Sequence, residues 1–435
     1  MSYDKQIHED FKKWKRNINF LYDIVLSHVL EWPATSFEWT GNCDSVSKRD
    51  VNQYEALFAS RCMEPEDTTI NVARVDIPSS DSSYEFWGRE EGPIVRKNDR
   101  KSIIQKKFGI FHPVSEKVVV KYKIVMHDQV NSVNSMKQNS DIFACTTQKS
   151  DSIYVFNHNT NTKSRQEFSP DLILSTSSSS TSENIAKTKA VNQQQWNPND
   201  AGKLVSCSKS SDIHIHDVRE STNPIMSFTR DNSNVKGSNS LKNEACFNDV
   251  HWHPSIKSVF ATCSSDGNFQ IWDSRSKNKC KSSSDVIAHT EEVSSLTFSG
   301  FDESLMITGS KDRTLALWDL RNLSVKIHSL TGHANAIEKV SWCPDTGMIV
   351  ASKDSDRTLN LWDLSAIGKT SAESPMEELV SSFPPELLFS HRGHSSRITD
   401  FSWNPIEPYL IGSVAQDNIS QFWKPCSSVL SLAQA

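Results

Sequence analysis

Three stretches in the C-terminal half decide the fold: NFQIWDSR at 268–275, TLALWDLR at 314–321 and TLNLWDLS at 358–365. Each alternates apolar and polar residues up to a Trp-Asp pair, which predicts a half-buried β-strand. NISQFWKP, SIYVFN and DIHIHDV have the same form with the tryptophan or the aspartate replaced. The strand endings follow one another at intervals of 44 to 61 residues, which indicates a repeat along the chain. They are Phe156, His216, Trp272, Trp318, Trp362 and Trp423.

The rest of each unit repeats as well. A strand ending in an aromatic residue (NDVHWHP, EKVSWCP, TDFSWNP) is followed by a strand of small residues such as FATCSSDG and then by an aspartate turn. His289, His333 and His394 open three of the units, and we expect each to hydrogen-bond within its own unit. This pattern resembles the WD-repeat β-propeller, in which four-stranded sheets surround a central channel.

The N-terminal part supplies the remaining strands. WPATSFEWT, YEALFASR and TTINVARVDI predict three of them. The sequence therefore predicts an all-β, seven-bladed propeller over 32–425, in which N-terminal strand material completes the last sheet and removes a free edge. We expect a tail at 426–435.

Several segments fall outside the repeat. Residues 1–31 predict a long helix packed on the side of the propeller, because apolar residues recur there at helical spacing. We expect insertions at about 85–112 and 175–188 and a diproline loop at 366–393. The helical stripe consists of Phe11, Trp14, Ile18, Leu21, Val25, Leu26 and Val29.

Composition limits the function. The chain has 435 residues and a formal net charge of −6, which argues against tight or sequence-specific binding of nucleic acid. Its nine cysteines form no CxxC pair and are expected to be reduced. The N-terminus is too charged for a signal peptide and no apolar run reaches the length of a membrane span. We expect a nuclear protein, with the cytoplasm as a second location, that does not contact a membrane.

No motif in the sequence nominates an enzyme or a cofactor. The His214/His216 and His251/His253 pairs lack a supporting third ligand, so we expect no metal site. GxSxG, Walker, GxGxxG and HExxH motifs do not occur. The basic stretch around 95–107 is expected to be a solvated insertion, with weak DNA contact or nuclear targeting as the alternative.

The segment 371–394, SAESPMEELVSSFPPELLFSHRGH, precedes the last blade, which the N-terminal strand should complete. We therefore expect the helix and the diproline loop to be neighbours. Together they would form an apolar groove with an acidic lip, suited to an amphipathic helix with a basic face. The alternative is that the loop only packs on the helix.

Residues 11–39, FKKWKRNINFLYDIVLSHVLEWPATSFEW, resemble the N-terminal signature of the retinoblastoma-binding histone chaperones, and PPELLFSHRGH and SVAQDNISQFWKP continue the resemblance. The resemblance implies a seven-bladed propeller with a long N-terminal helix and a diproline loop. Family members bind the first helix of histone H4 between these two elements, and some bind the histone H3 tail across an acidic top face.

Carried over by position, the resemblance implies a retained H4 groove and a weak or lost H3-tail site. The tail site is expected to be weak because Asn192, Asn248 and Gln416 stand where carboxylates are usual. The implied groove residues are Phe20, Leu21, Leu30, Glu377, Glu378, Pro384, Pro385, Leu388 and Phe389.

The expected function is a histone-binding chaperone that holds histone H4 and the H3–H4 dimer, most closely resembling the small subunit of fungal chromatin assembly factor one. Larger subunits of such a complex are implied as partners. The alternatives are the histone-binding subunit of the type B histone acetyltransferase or of a deacetylase or remodelling complex, and a pure scaffold that binds a partner subunit's helix. A substrate-recognition propeller of a ubiquitin ligase is a further possibility, but no adaptor motif supports it.

Overall fold

The structure, a computed structural model, describes residues 3–46, 51–62, 68–78, 118–158, 168–176, 190–210, 212–229, 245–275, 284–368 and 384–431. Its strands form seven four-stranded antiparallel sheets. The first strand of each sheet contacts the first strand of the next, and the seventh sheet contacts the first. The predicted seven-bladed propeller is therefore confirmed.

Blades one to six each consist of four consecutive strands. The first three blades contain β2 (Ala34–Val46), β3 (Val51–Ser60), β4 (Thr69–Pro78), β5 (Val118–Val125), β6 (Val130–Met136), β7 (Asn139–Thr147), β8 (Ser152–Asn157), β9 (Leu172–Ser175), β10 (Val191–Trp196), β11 (Lys203–Ser208), β12 (Asp212–Asp217) and β13 (Met226–Thr229). The next three contain β14 (Phe247–Trp252), β15 (Val259–Ser264), β16 (Asn268–Asp273), β17 (Ser284–Ile287), β18 (Val293–Phe298), β19 (Leu305–Ser310), β20 (Thr314–Asp319), β21 (His328–Thr331), β22 (Ile337–Trp342), β23 (Ile349–Asp354), β24 (Leu359–Asp363) and β25 (Leu387–His391).

The seventh blade joins the two ends of the chain. Its strands β26 (Ile398–Trp403), β27 (Ile411–Ala415) and β28 (Ile419–Pro425) are completed by β1 (Tyr22–Val29), which pairs antiparallel with β28. An N-terminal strand thus closes the ring, as the sequence predicts.

The helix α1, however, ends earlier than predicted. It spans Tyr3–Leu21, and the following residues form β1 without a linker. The predicted helix over 1–31 is therefore wrong beyond Leu21. YDIVLSHV is apolar enough for a helical stripe, but the ladder groups of β28 need a partner, and this pairing overrides the helical pattern.

The diproline loop is also shorter than predicted. A 3₁₀ turn at Leu364–Ala366 leaves the sixth blade, and Leu387–His391 returns as its outermost strand β25. The predicted loop 366–393 therefore includes strand residues that pair with β24. In the same way Ser175 ends β9 rather than opening an insertion, and Ser427–Leu430 form a short helix α2 in the predicted tail. The insertion predicted at 85–112, and the part of the second one from 177 onward, lie outside the described residues.

The small residues and histidines of the repeat have a shared task inside the blades. The indole Nε1 of Trp362 donates to Ser352 Oγ at 2.8 Å, and the ring of His333 lies 2.6 Å from the same hydroxyl. His394 and Ser413 repeat this arrangement with Trp423 in the seventh blade. The expectation that the repeat histidines hydrogen-bond within their blades is confirmed, and a hydroxyl on the second strand satisfies two buried polar groups.

Candidate functional site

Helix α1 packs along the edge where the sixth and seventh blades meet. Trp14 and Ile18 are buried in one apolar cluster together with Phe389 of β25 and Trp423 of β28. The ring of Tyr22, the first residue of β1, meets Phe389 edge-on at a centroid distance of 5.2 Å. The helix and the strand after the diproline turn are therefore neighbours, as predicted.

A buried polar chain fixes this contact. Trp14 Nε1 donates to the hydroxyl of Tyr22 at 2.9 Å, and this hydroxyl lies 2.8 Å from His391 Nδ1. The His391 ring stacks on Trp423 at 4.2 Å with an interplanar angle of 5°. Burial raises the pKa of Tyr22 and lowers the pKa of His391 well below its usual value. Both groups are neutral near pH 7, so the tyrosine donates and the imidazole nitrogen accepts.

Glycine at position 393 permits the close approach of α1. A Cβ atom there would lie 2.5 Å from Cζ2 of Trp14 and 2.8 Å from Cε1 of His391. These distances are far shorter than a van der Waals contact, and Trp14 is part of a packed cluster. The segment SHRGH thus accepts the indole of the helix because it lacks a side chain at this position.

The diproline segment forms a tight turn. Leu387 N donates to Pro384 O at 3.0 Å, and Asp363 N donates to Glu386 O at 2.8 Å. Leu387 packs towards the fifth and sixth blades, whereas Leu388 packs against the cluster that contains α1. Pro385 is exposed. The turn therefore presents an apolar surface beside the helix.

The structure brings together some of the predicted groove residues and separates one. Leu21, Leu388 and Phe389 belong to the same apolar cluster. Phe20, near the end of α1, is 71% exposed. Leu30 instead packs between the seventh and first blades. The predicted acidic lip, Glu377 and Glu378, lies outside the described residues.

Sequence reasoning misses the roles of Tyr22 and His391. Both lie within the stretches that carry the family resemblance, but the apolar periodicity assigns them to a helix and a loop. Their signal is an aromatic residue and a histidine in otherwise apolar strands, where a buried polar atom needs a partner.

The top face is the end of the propeller where the first strand of each blade begins. Asn192, the second residue of β10, donates through Nδ2 to the carbonyls of Phe247 and Asn248 in the next blade, both at 3.1 Å. Asn248, the second residue of β14, donates to Val293 O at 2.8 Å and to Glu292 Oε1 at 2.9 Å. These amides link neighbouring blades.

The same bond recurs around the ring. The second residue of a first strand donates to the carbonyl of the first residue of the next first strand, and we call this set the inter-blade ring. Its bonds, in chain order, run from Thr35 to Val130 (2.9 Å), Asn131 to Val191 (3.3 Å), Asn192 to Phe247 (3.1 Å), Asn248 to Val293 (2.8 Å), Ser294 to Ile337, and Thr399 to Ala34 (2.6 Å).

The sixth blade fills its place in the inter-blade ring differently. Its equivalent residue is Glu338, whose ionised carboxylate has no proton to donate. Lys353 donates to Glu338 at 2.6 Å and to Ile398 O, the first residue of β26, at 3.3 Å. Arg397 also pairs with Glu338. A carboxylate at this position therefore requires a buried lysine to supply the missing donor.

Gln416, the third predicted top-face residue, follows β27 and is exposed. Its backbone N–H donates to Arg397 O at 3.0 Å. Of the three, only Gln416 presents a side chain that no inter-blade bond occupies, and that side chain is neutral.

Two carboxyl groups on the innermost strands are unusually basic. Glu38 accepts from Ser135 N of the second blade at 2.8 Å, and burial raises its pKa to about 7. Asp249 accepts from Ser295 Oγ at 2.8 Å, and burial raises its pKa to about 6. Both groups hold neighbouring blades together and are partly protonated near neutral pH.

The histidine pairs have separate partners. His251 contacts the Gln195 amide at 3.1 Å, and His253 Nε2 lies 2.9 Å from Glu303 O. His214 and His216 pair with Ser227 Oγ and Ser175 O. Within the described ranges, no group of three or more His, Cys, Asp or Glu side chains has the arrangement of a metal site. Nor does any helix in the described part of the chain have the length and apolarity needed to cross a membrane.

The fold and this edge define the class of protein: a WD-repeat β-propeller closed by an N-terminal strand and flanked by the helix that precedes it. A family model for the histone-binding protein RBBP4, or its counterpart in the CAF1 complex, matches residues 9–79, which include most of α1 and strands β1 to β4. The model of the WD domain, G-beta repeat, matches residues 239–273, 279–319, 324–363 and 385–424, in the fourth to seventh blades.

The chain belongs to the WD-repeat histone chaperone family of the RBBP4 and CAF1 type. It is accordingly a histone-binding propeller of a generally non-enzymatic, scaffold-like class. The resemblance drawn from the sequence is confirmed at this level.

Proposed function

We propose that this chain binds the first helix of histone H4, and through it the H3–H4 dimer, in the groove between α1 and the diproline turn. The observation that carries the proposal is Phe20. This aromatic side chain is 71% exposed at the end of a helix whose other apolar residues are packed against the blades. An exposed aromatic beside an apolar turn is a suitable anchor for the apolar face of an amphipathic helix.

The test is calorimetric titration with a peptide of the first H4 helix. Wild-type protein is expected to bind with a micromolar or lower Kd, and a Glu377→Lys, Glu378→Lys double variant is expected to bind much more weakly, because the peptide is basic. Phe20→Ala tests the apolar side of the same groove. The matched control is Ile287→Ala, which removes a similarly exposed apolar side chain from the outer strand of the fourth blade. Absence of wild-type binding would favour a scaffold that holds a partner subunit's helix.

We further propose that the protein acts in the nucleus as the small, non-enzymatic subunit of chromatin assembly factor one, in nucleosome assembly coupled to DNA synthesis. The engagement of Asn192 and Asn248 in the inter-blade ring supports this choice, because it leaves the top face poorly suited to a basic H3 tail. An assembly factor with other histone-holding subunits tolerates a weak tail site. The type B acetyltransferase and deacetylase or remodelling complexes are the competing assignments.

Affinity purification of the tagged protein from nuclear extract, followed by mass spectrometry, separates these assignments. Recovery of the large chromatin assembly factor subunits supports the proposal. Recovery of an acetyltransferase or deacetylase subunit without them contradicts it.

A further inference from the structure

The diproline turn contains a buried charge that the groove proposal does not use. The Glu386 carboxylate is only 8% exposed, and its Oε1 lies 3.1 Å from Nε2 of His328. The His328 side chain is 32% exposed. A buried carboxylate is stable only when a charged or hydrogen-bonding partner compensates for the lost hydration.

The two partners belong to different blades. His328 begins β21, the outermost strand of the fifth blade, where it pairs with Leu317 of β20. Glu386 lies in the turn that leads into β25 of the sixth blade. The ion pair therefore connects the base of the diproline turn to a neighbouring blade.

The turn has few other attachments for its length. Two of its residues, Pro384 and Pro385, have no N–H to donate. Its described backbone bonds are those of Leu387 N to Pro384 O and of Asp363 N to Glu386 O. Pro384 also lies near Gly332, where an added Cβ would be 3.5 Å from Pro384 Cγ. The position of the turn therefore depends strongly on the side chain of Glu386.

We propose that His328 is a positioning residue for the groove: by pairing with the buried Glu386 carboxylate, it holds the diproline turn, and with it Leu388, against the cluster that contains α1. This inference rests on the proposed function for its consequence in histone binding. His328 lies outside the predicted groove and acts through Glu386 alone.

The test uses two measurements on full-length protein. In His328→Leu, hydrogen exchange at the Asp363 and Leu387 amides is expected to be about tenfold faster or more, because an unpaired carboxylate drives the turn towards water. Affinity for the H4 helix peptide is expected to fall about tenfold. Adding Glu386→Gln to His328→Leu removes the uncompensated charge and should restore both values to within about threefold.

Lys326→Leu is the matched control, since it removes a cationic side chain two residues away that is exposed and outside the pair. It should change neither measurement. Thermal unfolding shows that each variant is folded.

Unchanged exchange and affinity in His328→Leu would overturn the proposal. A loss that Glu386→Gln does not rescue would also overturn it, because His328 would then act by packing. If wild-type protein does not bind the H4 peptide but the exchange rates change and are rescued, the groove function fails while the positioning role of His328 is supported.

Discussion

The helix side and the top face of this propeller treat their functional groups in opposite ways. On the helix side, buried bonds such as that between Trp14 and Tyr22 fix the frame, while Phe20 is left exposed. On the top face, Asn192 and Asn248 use their amide donors within the inter-blade ring. Residue type alone therefore does not distinguish a binding surface from a structural one; the difference lies in which atoms still lack a partner inside the fold.

Trp14→Ala would break the helix side and has the largest expected effect. The buried indole fills the space above Gly393 and donates to Tyr22. Its loss should lower the free energy of unfolding by about 3–5 kcal/mol, as for other buried aromatic truncations. Urea denaturation with a probe on α1 measures this effect. A change below about 1 kcal/mol would show that α1 is not packed as described.

Glu38→Gln tests the innermost strands and carries a pH signature. The pKa of Glu38 is about 7 in the folded protein, above its usual value of 4.5, so its contribution to stability is complete below pH 4.5 and is lost as the pH rises through 7. The variant mimics the protonated form. It should match wild type near pH 4.5 and exceed it by about 3 kcal/mol above pH 7. Denaturation curves with parallel pH dependence for both proteins would contradict this.

Asn248→Asp sharpens the contrast on the top face. The aspartate keeps the shape and adds the charge that would suit a basic tail, but it has no proton to donate to Val293 O. We expect a loss of about 1–3 kcal/mol in the free energy of unfolding. Calorimetry with an H3-tail peptide tests the gain in affinity, and Gln416→Glu is the control because its side chain is exposed. Equal stability of Asn248→Asp and wild type would remove the inter-blade ring from the explanation.

Phe20→Ala should have the smallest effect on stability. An exposed side chain away from packed contacts changes the free energy of unfolding by within about 0.5 kcal/mol. The same change should weaken binding of the H4 helix peptide about tenfold if Phe20 is an anchor. Loss of stability without loss of affinity would reverse the roles assigned to this residue.

The repeat made the propeller predictable. Tryptophan endings, small-residue strands and histidines recur because every blade solves the same packing problem, and the structure confirms that His333 and His394 serve within their blades. The end of α1 was not predictable from periodicity. Residues Tyr22–Val29 fit a helical stripe, and only the distant partner strand β28 makes them a strand.

The candidate site was predictable in part for the same reason. Leu21, Leu388 and Phe389 come together because an apolar helix face and an apolar strand must be buried somewhere. Leu30 was misplaced because the chain turns into a strand before reaching it. Asn192 and Asn248 indicated a missing charge, but the sequence could not show that their amides donate to the next blade.

The direct succession of α1 and β1 also has a consequence for synthesis. Strand β1 emerges from the ribosome before the strands of blades one to six, yet its partner β28 follows all of them. Contacts so distant along the chain form slowly. During translation the nascent chain therefore carries an unpaired apolar strand from the start, and it depends on chaperone protection until the seventh blade is complete.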